Sequence, residues 1–392
     1  MIRTFFSVPN HRTLLLLFAA SAIELTGYFM LTPLLTLTLN ERGFAQGVIG
    51  AFAAMSWLAL LAGAPYAATL VARWGVQNTL RVCAVLPLLS AFTYLATPTL
   101  WAWFMVAFAG SLASSLRWIC SEATVAALST DATRGRWVSS YSTLIGLTFI
   151  VGPAAVSGLI AQFGISSRLP WWLATGLIAL GAVLTFALRL PASQQQAQTP
   201  PPAPLAQLWR CARSMPMVVI AGMVGGFFEV GINGILPLYG LQLGWSQASA
   251  TLLVSVSAVG GITGVLTAGW LGNALSQSAL IRACAGLIAV ACALQWWVLS
   301  VPSLAWAVVF AWGAAGAALY IVVMVVLGKD YQGIDLVQRM AVLVMAYTLG
   351  GLFAPLLGGW ALQAGTHVFY GLTTGIAMLG LLRLLTLKAA LK

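Results

Sequence analysis

Long apolar runs follow one another along almost the whole chain and are separated by short polar segments. Each run holds about 20 or more residues, the length that an α-helix needs to cross the hydrocarbon of a bilayer. The pattern therefore predicts an all-α membrane protein with twelve transmembrane helices. The predicted spans are 13–39, 45–72, 79–97, 99–127, 138–163, 169–190, 216–242, 247–273, 279–299, 302–327, 337–363 and 366–387.

One polar, proline-rich stretch interrupts this rhythm at the middle of the chain. It begins at Pro191 and carries a run of glutamines followed by several prolines, a composition typical of a connector. We therefore predict a six-helix bundle over 1–190, a cytoplasmic linker over 191–215 and a second six-helix bundle over 216–392. The segment 205–213 inside the linker is predicted to form a short surface helix.

The two predicted bundles repeat each other. Glu24 and Glu229 lie 205 positions apart, and other similar residues recur at nearly the same offset. These further pairs are Pro33 and Pro237, Arg81 and Arg282, Trp118 and Tyr320, Arg136 and Arg339, and Pro153 and Pro355. A constant offset over several spans indicates an internal duplication, which is common in transporters. The prediction is thus two pseudo-symmetric six-helix bundles.

Composition excludes a soluble domain, because 61% of the residues are hydrophobic and only 6% are charged. The net charge of +11 does not indicate nucleic-acid binding, since the basic residues are spread between the apolar runs. With the N-terminus inside, all Lys and Arg except Arg42, Arg117 and Arg168 fall in inner segments. By the positive-inside rule, this bias predicts a bacterial inner-membrane protein with both termini in the cytoplasm.

No catalytic or cofactor-binding pattern is present in the sequence. The five cysteines form no C-x-x-C pair, so neither zinc nor a disulfide is indicated. There is no phosphate-binding loop, no metal-ligand cluster and no Ser/His/Asp set in a known order. We therefore expect no enzyme activity, no metal and no cofactor.

Two six-helix repeats in the same orientation, joined by a long connector, resemble the major facilitator superfamily. The segment Ala72-Arg73-Trp74-Gly75 is similar to the family's loop between helices 2 and 3, although Ala72 replaces its usual acid. Trp118-x-x-x-Glu122, Arg134-Gly135-Arg136 and Leu319-Tyr320 are similar to the YcaD-like bacterial branch. The resemblance implies a monomeric secondary transporter that works by alternating access. Its substrate site is expected between the two halves, near the bilayer midplane.

Acidic residues inside predicted spans are the main candidates for function. An ionised carboxylate at the bilayer centre costs about 2.5–3.5 kcal/mol, so it requires a partner, a wet cavity or a proton. Glu24 and Glu229 occupy matching depths and are predicted to bind protons or substrate, with interhelical hydrogen bonding as the alternative. Arg117 is predicted either to anchor an anion or to form a buried salt bridge with Glu24 or another acid.

Glu122 is expected near the cytoplasmic end of its span, close to Arg73 and Arg136. These three residues are predicted to form an inner gate, with Glu122 as the acidic partner of Arg73 in place of Ala72. Other polar and aromatic side chains are candidates to line a substrate cavity, with ordinary helix packing as the alternative. They are Tyr28, Trp118, Asn233, Tyr239, Tyr320 and Tyr347.

The sequence as a whole predicts a proton-coupled secondary transporter. Two acids against one arginine favour an amphipathic, cationic or zwitterionic organic substrate, with a slight preference for export. The partners would be this small molecule, protons and the lipid bilayer, without nucleic acid. The alternatives are a proton symporter that imports an organic anion or a sugar, anchored by Arg117, and a non-transporting membrane receptor.

Overall fold

A computed structural model describes residues 11–63, 66–130, 133–190, 205–272 and 275–387. In this part of the chain twelve helical segments are long and apolar enough to cross a membrane, which confirms the predicted number of spans. The helices are α1 His11–Glu41, α2 Gln46–Gly63, α3 Ala67–Ala96, α4 Leu100–Leu128, α5 Arg134–Phe163, α6 Leu169–Ala187, α7 Leu205–Ser214, α8 Pro216–Gly226, α9 Leu236–Gln242, α10 Gln247–Leu271, α11 Gln277–Leu294, α12 Leu304–Asp330, α13 Gly333–Ala364 and α14 Thr366–Thr386. The proline-rich part of the predicted linker, 191–204, lies outside the described residues.

The second and third predicted spans meet near a backbone break at Gly75. Helix α2 ends at Gly63, and α3 begins at Ala67, well before the predicted start at 79. Gly75 interrupts α3 with a backbone at φ 75° and ψ 158°. Because side chains with a Cβ rarely adopt a positive φ, this glycine allows the chain to turn between two helical pieces. Gly75 lies in the interval 73–78 that the sequence leaves between the second and third predicted spans.

The chain forms two compact units. Unit 1 contains Met1–Leu34 and Leu58–Pro202, and unit 2 contains Leu35–Trp57 and Ala203–Lys392. The long helix α1 therefore contributes its first part to unit 1 and its last part to unit 2. This grouping by contact is not the division at 191–215 that the sequence pattern predicts, and the six-plus-six organisation stays a prediction.

Glycines bring the helices of unit 1 close together. A Cβ on Gly27 of α1 would lie 2.6 Å from the carbonyl oxygen of Ala174 in α6. A Cβ on Gly152 of α5 would lie 2.9 Å from Cβ of Phe29 in α1. Such contacts leave no room for a side chain, so α1 packs backbone to backbone against its neighbours, as small residues allow in membrane helices.

Unit 2 is built on the packing of α10 and α11 against α12, and of α8 against α12 and α13. The residues of α2 that belong to this unit pack on α13 in the same way as the helices of unit 1. A Cβ on Gly50 would collide with the carbonyl oxygen of Pro355, and one on Gly359 would lie 2.9 Å from Cα of Gly50. Unit 2 therefore includes the start of α2 as a closely packed element.

Glutamine side chains join the helix ends at one end of unit 2. Gln242, the last residue of α9, donates hydrogen bonds to Oε1 of Gln46 at 3.0 Å and to the carbonyl of Leu362 at 2.7 Å. Its own Oε1 accepts a hydrogen bond of 2.9 Å from Thr366. At the same end, Gln363 accepts from the backbone N–H of Gly47 at 3.1 Å. These bonds connect α2, α9, α13 and α14, and we call the four side chains Gln46, Gln242, Gln363 and Thr366 the glutamine cluster.

Candidate functional site

Glu24 and Arg117 form a buried ion pair in unit 1. Glu24 lies near the middle of α1 and is 3% exposed, and Arg117 of α4 is 5% exposed. Nη1 of Arg117 contacts Oε2 of Glu24. The other terminal nitrogen, Nη2, donates a 2.9 Å hydrogen bond to Oγ1 of Thr185 in α6, and Thr185 in turn donates to the carbonyl of Gly181. Three helices thus hold one pair of opposite charges.

A glycine of α6 makes room for the Glu24 side chain. A Cβ on Gly181 would lie 2.5 Å from Cβ of Glu24 and 2.9 Å from its backbone nitrogen. The absence of a side chain at this position lets α6 approach the acid closely. The same approach places Thr185, one helical turn further along α6, within reach of Arg117.

A small cavity opens beside this pair. Its volume is about 10 Å³, close to the minimum that a single water molecule needs. The residues around it are mainly hydroxyl-bearing or aromatic: Ser21, Glu24, Leu25, Ser114, Arg117, Trp118, Ser121 and Tyr141. Protonation of Glu24 would remove one of the two charges that hold this pair together.

The seventh span is broken at Glu229, where the sequence predicts one helix over 216–242. Helix α8 ends at Gly226, a π-turn follows over Phe227–Gly231, and a 3₁₀ turn follows over Ile232–Gly234. Glu229 lies in the π-turn. Pro237 lies in the first turn of α9, where its missing N–H and its ring prevent a continuous α-helix across the preceding residues. π-Turns inside helices occur often at functional sites.

A backbone carbonyl in the irregular part of the seventh span is hydrogen-bonded by another residue of unit 2. The carbonyl of Gly234 accepts a 2.9 Å hydrogen bond from Oγ1 of Thr36. Non-helical backbone at membrane depth is tolerated where protein surrounds it or where it lines a wet cavity. Asn233 lies in the same turn, and its Oδ1 is buried without a hydrogen-bond partner among the described residues.

Glu229 is surrounded by aromatic side chains of unit 2. The hydroxyl of Tyr347 in α13 donates a 2.7 Å hydrogen bond to Oε2 of Glu229. The ring of Tyr320 in α12 lies 4.7 Å from that of Tyr347, and Trp57 of α2 meets Tyr347 edge-on at 6.5 Å. All four side chains are partly exposed. We call Glu229, Tyr347, Tyr320 and Trp57 the Glu229 cluster.

Glu24 and Glu229 occupy matching positions in the two repeats, but they have different electrostatic partners. Glu24 has Arg117, but the residue at the corresponding place in the second repeat is Leu319. No Lys, Arg or His in the described part of the chain forms an ion pair with Glu229. A glycine packs against each acid, because a Cβ on Gly316 would lie 2.8 Å from Cβ of Glu229. Among the described residues, the charge of the acid is therefore compensated only in unit 1.

The residues predicted to form a gate are not joined in this structure. Oε1 of Glu122 accepts a 2.9 Å hydrogen bond from Nε1 of Trp118, one turn earlier in α4. No ion pair between Glu122 and Arg73 is present among the described residues, and both Arg73 and Arg136 are exposed. The predicted pairing of Glu122 with Arg73 is thus replaced by a contact within α4, and the gating role stays a prediction.

The predicted cavity-lining residues lie in different surroundings. Trp118 lines the cavity beside Glu24, and Tyr320 and Tyr347 belong to the Glu229 cluster. Tyr28 forms a 2.9 Å hydrogen bond with Ser111. Tyr239 differs from the prediction, because it is fully buried, with its hydroxyl 3.3 Å from that of Tyr370. Tyr239 is thus a core residue of unit 2.

Sequence reasoning missed Thr185 and Gly181 as partners of the ion pair. Their spacing of four residues places them on one face of α6, but threonine and glycine are both common in membrane helices and carry no separate signal. The π-turn at Glu229 was also missed. Its sequence signals are Pro237 and a high density of glycine, at Gly225, Gly226, Gly231 and Gly234.

Comparisons with known proteins identify relatives over nearly the whole chain. The sequence model of the Major Facilitator Superfamily matches residues 17–333 and 232–391. An uncharacterised MFS-type transporter of Yersinia pestis is 23% identical over 376 residues, which cover 95% of both chains. YcaD of Salmonella paratyphi B, also described as an uncharacterised MFS-type transporter, is 22% identical over 354 residues, covering 90% of this chain and 89% of its own.

Solved transporter structures share the fold. The nucleoside transporter NupG aligns with a TM-score of 0.78 at 15% identity, covering 96% of this chain and 100% of NupG. A POT family transporter in complex with 5-aminolevulinic acid aligns with a TM-score of 0.77 at 14% identity, covering 97% and 98% of the two chains. A D-xylose–proton symporter aligns with a TM-score of 0.71 at 18% identity, covering 95% and 97%. At these identities the similarity shows the fold alone.

Proposed function

The chain belongs to the Major Facilitator Superfamily, and we propose that it is a proton-coupled carrier of a small organic molecule that is amphipathic, cationic or zwitterionic. As a family member it is a multi-pass membrane transporter and not an enzyme. The fold does not select the substrate, because the solved structures that share it include nucleoside, peptide and sugar transporters. The side chains of this chain therefore determine the substrate and the coupling ion.

The buried Glu24–Arg117 pair is the observation that carries the proposal of proton coupling. Both charges are almost fully buried, so each depends on the other for compensation. Protonation of Glu24 would leave the Arg117 guanidinium without its counter-charge, and breaking a buried pair typically costs about 3–5 kcal/mol. Because the pair joins α1 to α4 and, through Thr185, to α6, a proton changes the forces between these helices. This link between protonation and helix packing is what a coupled carrier requires.

The charge distribution supports the proposed orientation. The basic residues fall almost entirely on one side of the predicted spans, which favours cytoplasmic termini in a bacterial inner membrane. Twelve spans, an even number, are consistent with both termini on the same side. We further propose that the carrier acts as a monomer of two six-helix halves, and that Arg73, Glu122 and Arg136 contribute to its inner gate.

Import of an organic anion or a sugar by proton symport is the competing proposal. It would use Arg117 as the anchor for the substrate. In this structure both terminal nitrogens of Arg117 are already occupied, one by Glu24 and the other by Thr185. An anion would have to displace Glu24, a carboxylate that is held close by the packing of α6 at Gly181. Exchange of protons for a positively charged substrate, with export preferred, is therefore the better supported function.

The test uses purified full-length protein in proteoliposomes. A counterflow screen over organic cations, amino acids, nucleosides and sugars identifies a transported compound, and its addition to de-energised cells is then followed with a pH electrode. Antiport predicts acidification of the medium, because substrate entry drives protons out, whereas symport predicts alkalinisation. A protein that binds a compound but shows no counterflow would instead be a receptor.

Glu24→Gln is the decisive variant for coupling. It is expected to abolish the proton movement while substrate exchange continues, because glutamine mimics a permanently neutral Glu24. Asp335→Asn is the matched control, since Asp335 forms an exposed ion pair with Arg339 in α13, and exposed pairs of this kind contribute only about 0.3–0.5 kcal/mol. Proton movement that persists unchanged in Glu24→Gln would rule out the proposed role of the pair.

A further inference from the structure

We propose that the Glu229 cluster binds the positively charged group of the substrate, a substituted ammonium or a similar organic cation, and that the Glu24–Arg117 pair is not a substrate site. The inference rests on the proposed transport function and assigns different tasks to the two repeats. A carboxylate recurs at the same place in both repeats, but among the described residues only the one in unit 1 has a positively charged side chain beside it.

Glu229 offers a carboxylate oxygen to a ligand. Oε2 is engaged by Tyr347, but Oε1 accepts no hydrogen bond from any described residue. Glu229 is partly exposed as a residue. An intramembrane carboxylate without a cationic neighbour is unfavourable until a positive charge or a proton binds to it. The position thus has an electrostatic need for a cation.

The aromatic side chains of the cluster define which cation fits. The rings of Tyr347 and Tyr320 lie next to each other, with Trp57 edge-on to Tyr347. Aromatic faces attract cations through their quadrupole, and quaternary ammonium groups are recognised by sites that combine several such faces. A small hydrated metal ion would gain little from rings, whereas an alkylated or arylated cation contacts them directly. The cluster therefore favours an organic cation with apolar substituents.

The Glu24 pair lacks both properties. Its carboxylate is already neutralised by Arg117, and the cavity beside it is only about 10 Å³ in volume. A trimethylammonium group is several times larger than the one water molecule that such a volume holds. A proton, in contrast, needs no space. The geometry thus matches Glu24 with the proton and Glu229 with the organic cation.

The test compares ligands of the same shape and opposite charge. Tetraphenylphosphonium and tetraphenylborate carry four phenyl groups each and differ in the sign of the charge. Choline and 3,3-dimethylbutanol form a second pair, in which a trimethylammonium group is replaced by a neutral tert-butyl group. Binding is measured by equilibrium dialysis with the full-length protein in lipid nanodiscs, and empty nanodiscs correct for partition into lipid.

We expect saturable binding of at least one of the two cations, with no competition from tetraphenylborate or 3,3-dimethylbutanol. Glu229→Gln should weaken this binding at least tenfold, and Asp335→Asn should leave it unchanged. Tyr347→Leu should also weaken binding, because it removes a ring. Tyr347→Phe should keep or increase the affinity, because it keeps the ring and frees Oε2. This pair of variants gives a result even where Glu229→Gln does not fold.

The outcomes separate the two proposals. Absence of saturable binding for both cations, or equal affinity for the phosphonium and the borate, overturns the assignment of the Glu229 cluster. An equal loss of cation binding in Glu24→Gln and Glu229→Gln also overturns it. If cation binding depends on Glu229 while proton movement is unaffected in Glu24→Gln, the site stands and the proposed coupling fails.

Discussion

At the scale of single residues, each charge of the ion pair in unit 1 would be unfavourable without the other. Glu24 and Arg117 are both almost fully buried, and the hydrogen bond from Arg117 to Thr185 adds a third helix to the pair. Removing one charge leaves the other unpaired inside the protein, which is more harmful than removing both. Stability measurements can therefore detect the pair without knowledge of the substrate.

The single variant Arg117→Met is expected to destabilise the protein by about 3–5 kcal/mol, because it leaves Glu24 buried without a counter-charge. The double variant Glu24→Leu with Arg117→Met should regain most of this loss, since no charge remains. Thermal unfolding of the purified proteins in detergent, followed by circular dichroism, gives the comparison. If the double variant is at least as unstable as the single one, the pair does not compensate its charges as described.

The sequence predicted the residues of this site better than their contacts. Glu24, Glu229 and Arg117 stand out because charges are rare in apolar runs. Two possibilities for Arg117 remained open from the sequence, and packing of α1 against α4 selects the pair with Glu24. Nothing in the sequence distinguishes Thr185 from other threonines in spans, because its role depends on a neighbour from another helix.

At the scale of helices, the ends of α2, α9, α13 and α14 are joined by side-chain amides rather than by charges. Gln242 of the glutamine cluster uses both its N–H₂ group and its carbonyl oxygen. An amide that bonds to all these partners fixes the positions of the four helices relative to one another. Loss of this amide would leave several polar groups without a hydrogen bond.

We expect Gln242→Leu to lower the free energy of unfolding by about 1–3 kcal/mol, the typical cost of unsatisfied buried polar groups. It should also increase hydrogen–deuterium exchange in α9. Gln247→Leu provides the matched control, because Gln247 makes an exposed hydrogen bond of 2.8 Å to Glu41 and its loss should cost less. Equal melting temperatures for the two variants would show that the cluster does not hold these helices.

Helix number was predictable, whereas helix interruptions were less so. The apolar runs are long, and each run stands out against the polar segments that flank it. The break at Gly75 depends on a positive φ, and the π-turn at Glu229 depends on close packing of α8 and its continuation against α12 and α13. The break at Gly75 lies in the polar stretch between the predicted spans 45–72 and 79–97. Hydropathy gives no sign of the π-turn at Glu229, because the residues on both sides of it are apolar.

At the scale of the whole molecule, the repeat relates the surroundings of the two acids. Trp118 and Tyr320, which match in the repeat, lie in comparable places. Trp118 lines the cavity beside Glu24, and Tyr320 packs on Tyr347, which binds Glu229. The repeats differ at Arg117, because the corresponding residue of the second repeat is Leu319. The duplication could thus be predicted from constant spacing, and the different charge balance around the two acids from one unmatched residue. The assignment of 35–57 to unit 2 could not, because it depends on contacts far apart in the chain.

The unequal repeats have an electrical consequence. Glu24, Arg117 and Glu229 together hold two carboxylates and one guanidinium, so the empty carrier has a single excess negative charge in these sites. One proton, or one monovalent organic cation, cancels it. If the chain exchanges protons for cations as proposed, both loaded forms reorient without moving net charge through the membrane field, and a one-for-one exchange is electroneutral.

Transport driven by a pH gradient in proteoliposomes should therefore proceed at the same rate with the membrane potential clamped at zero or at about 100 mV of either sign. An unbalanced charge that crossed the membrane would instead gain or lose about 2.3 kcal/mol per 100 mV. A strong voltage dependence with a monovalent substrate would contradict this charge balance. A divalent cation should show such a dependence in the same vesicles, so the carrier would draw on the pH gradient alone for singly charged substrates and on the membrane potential as well for doubly charged ones.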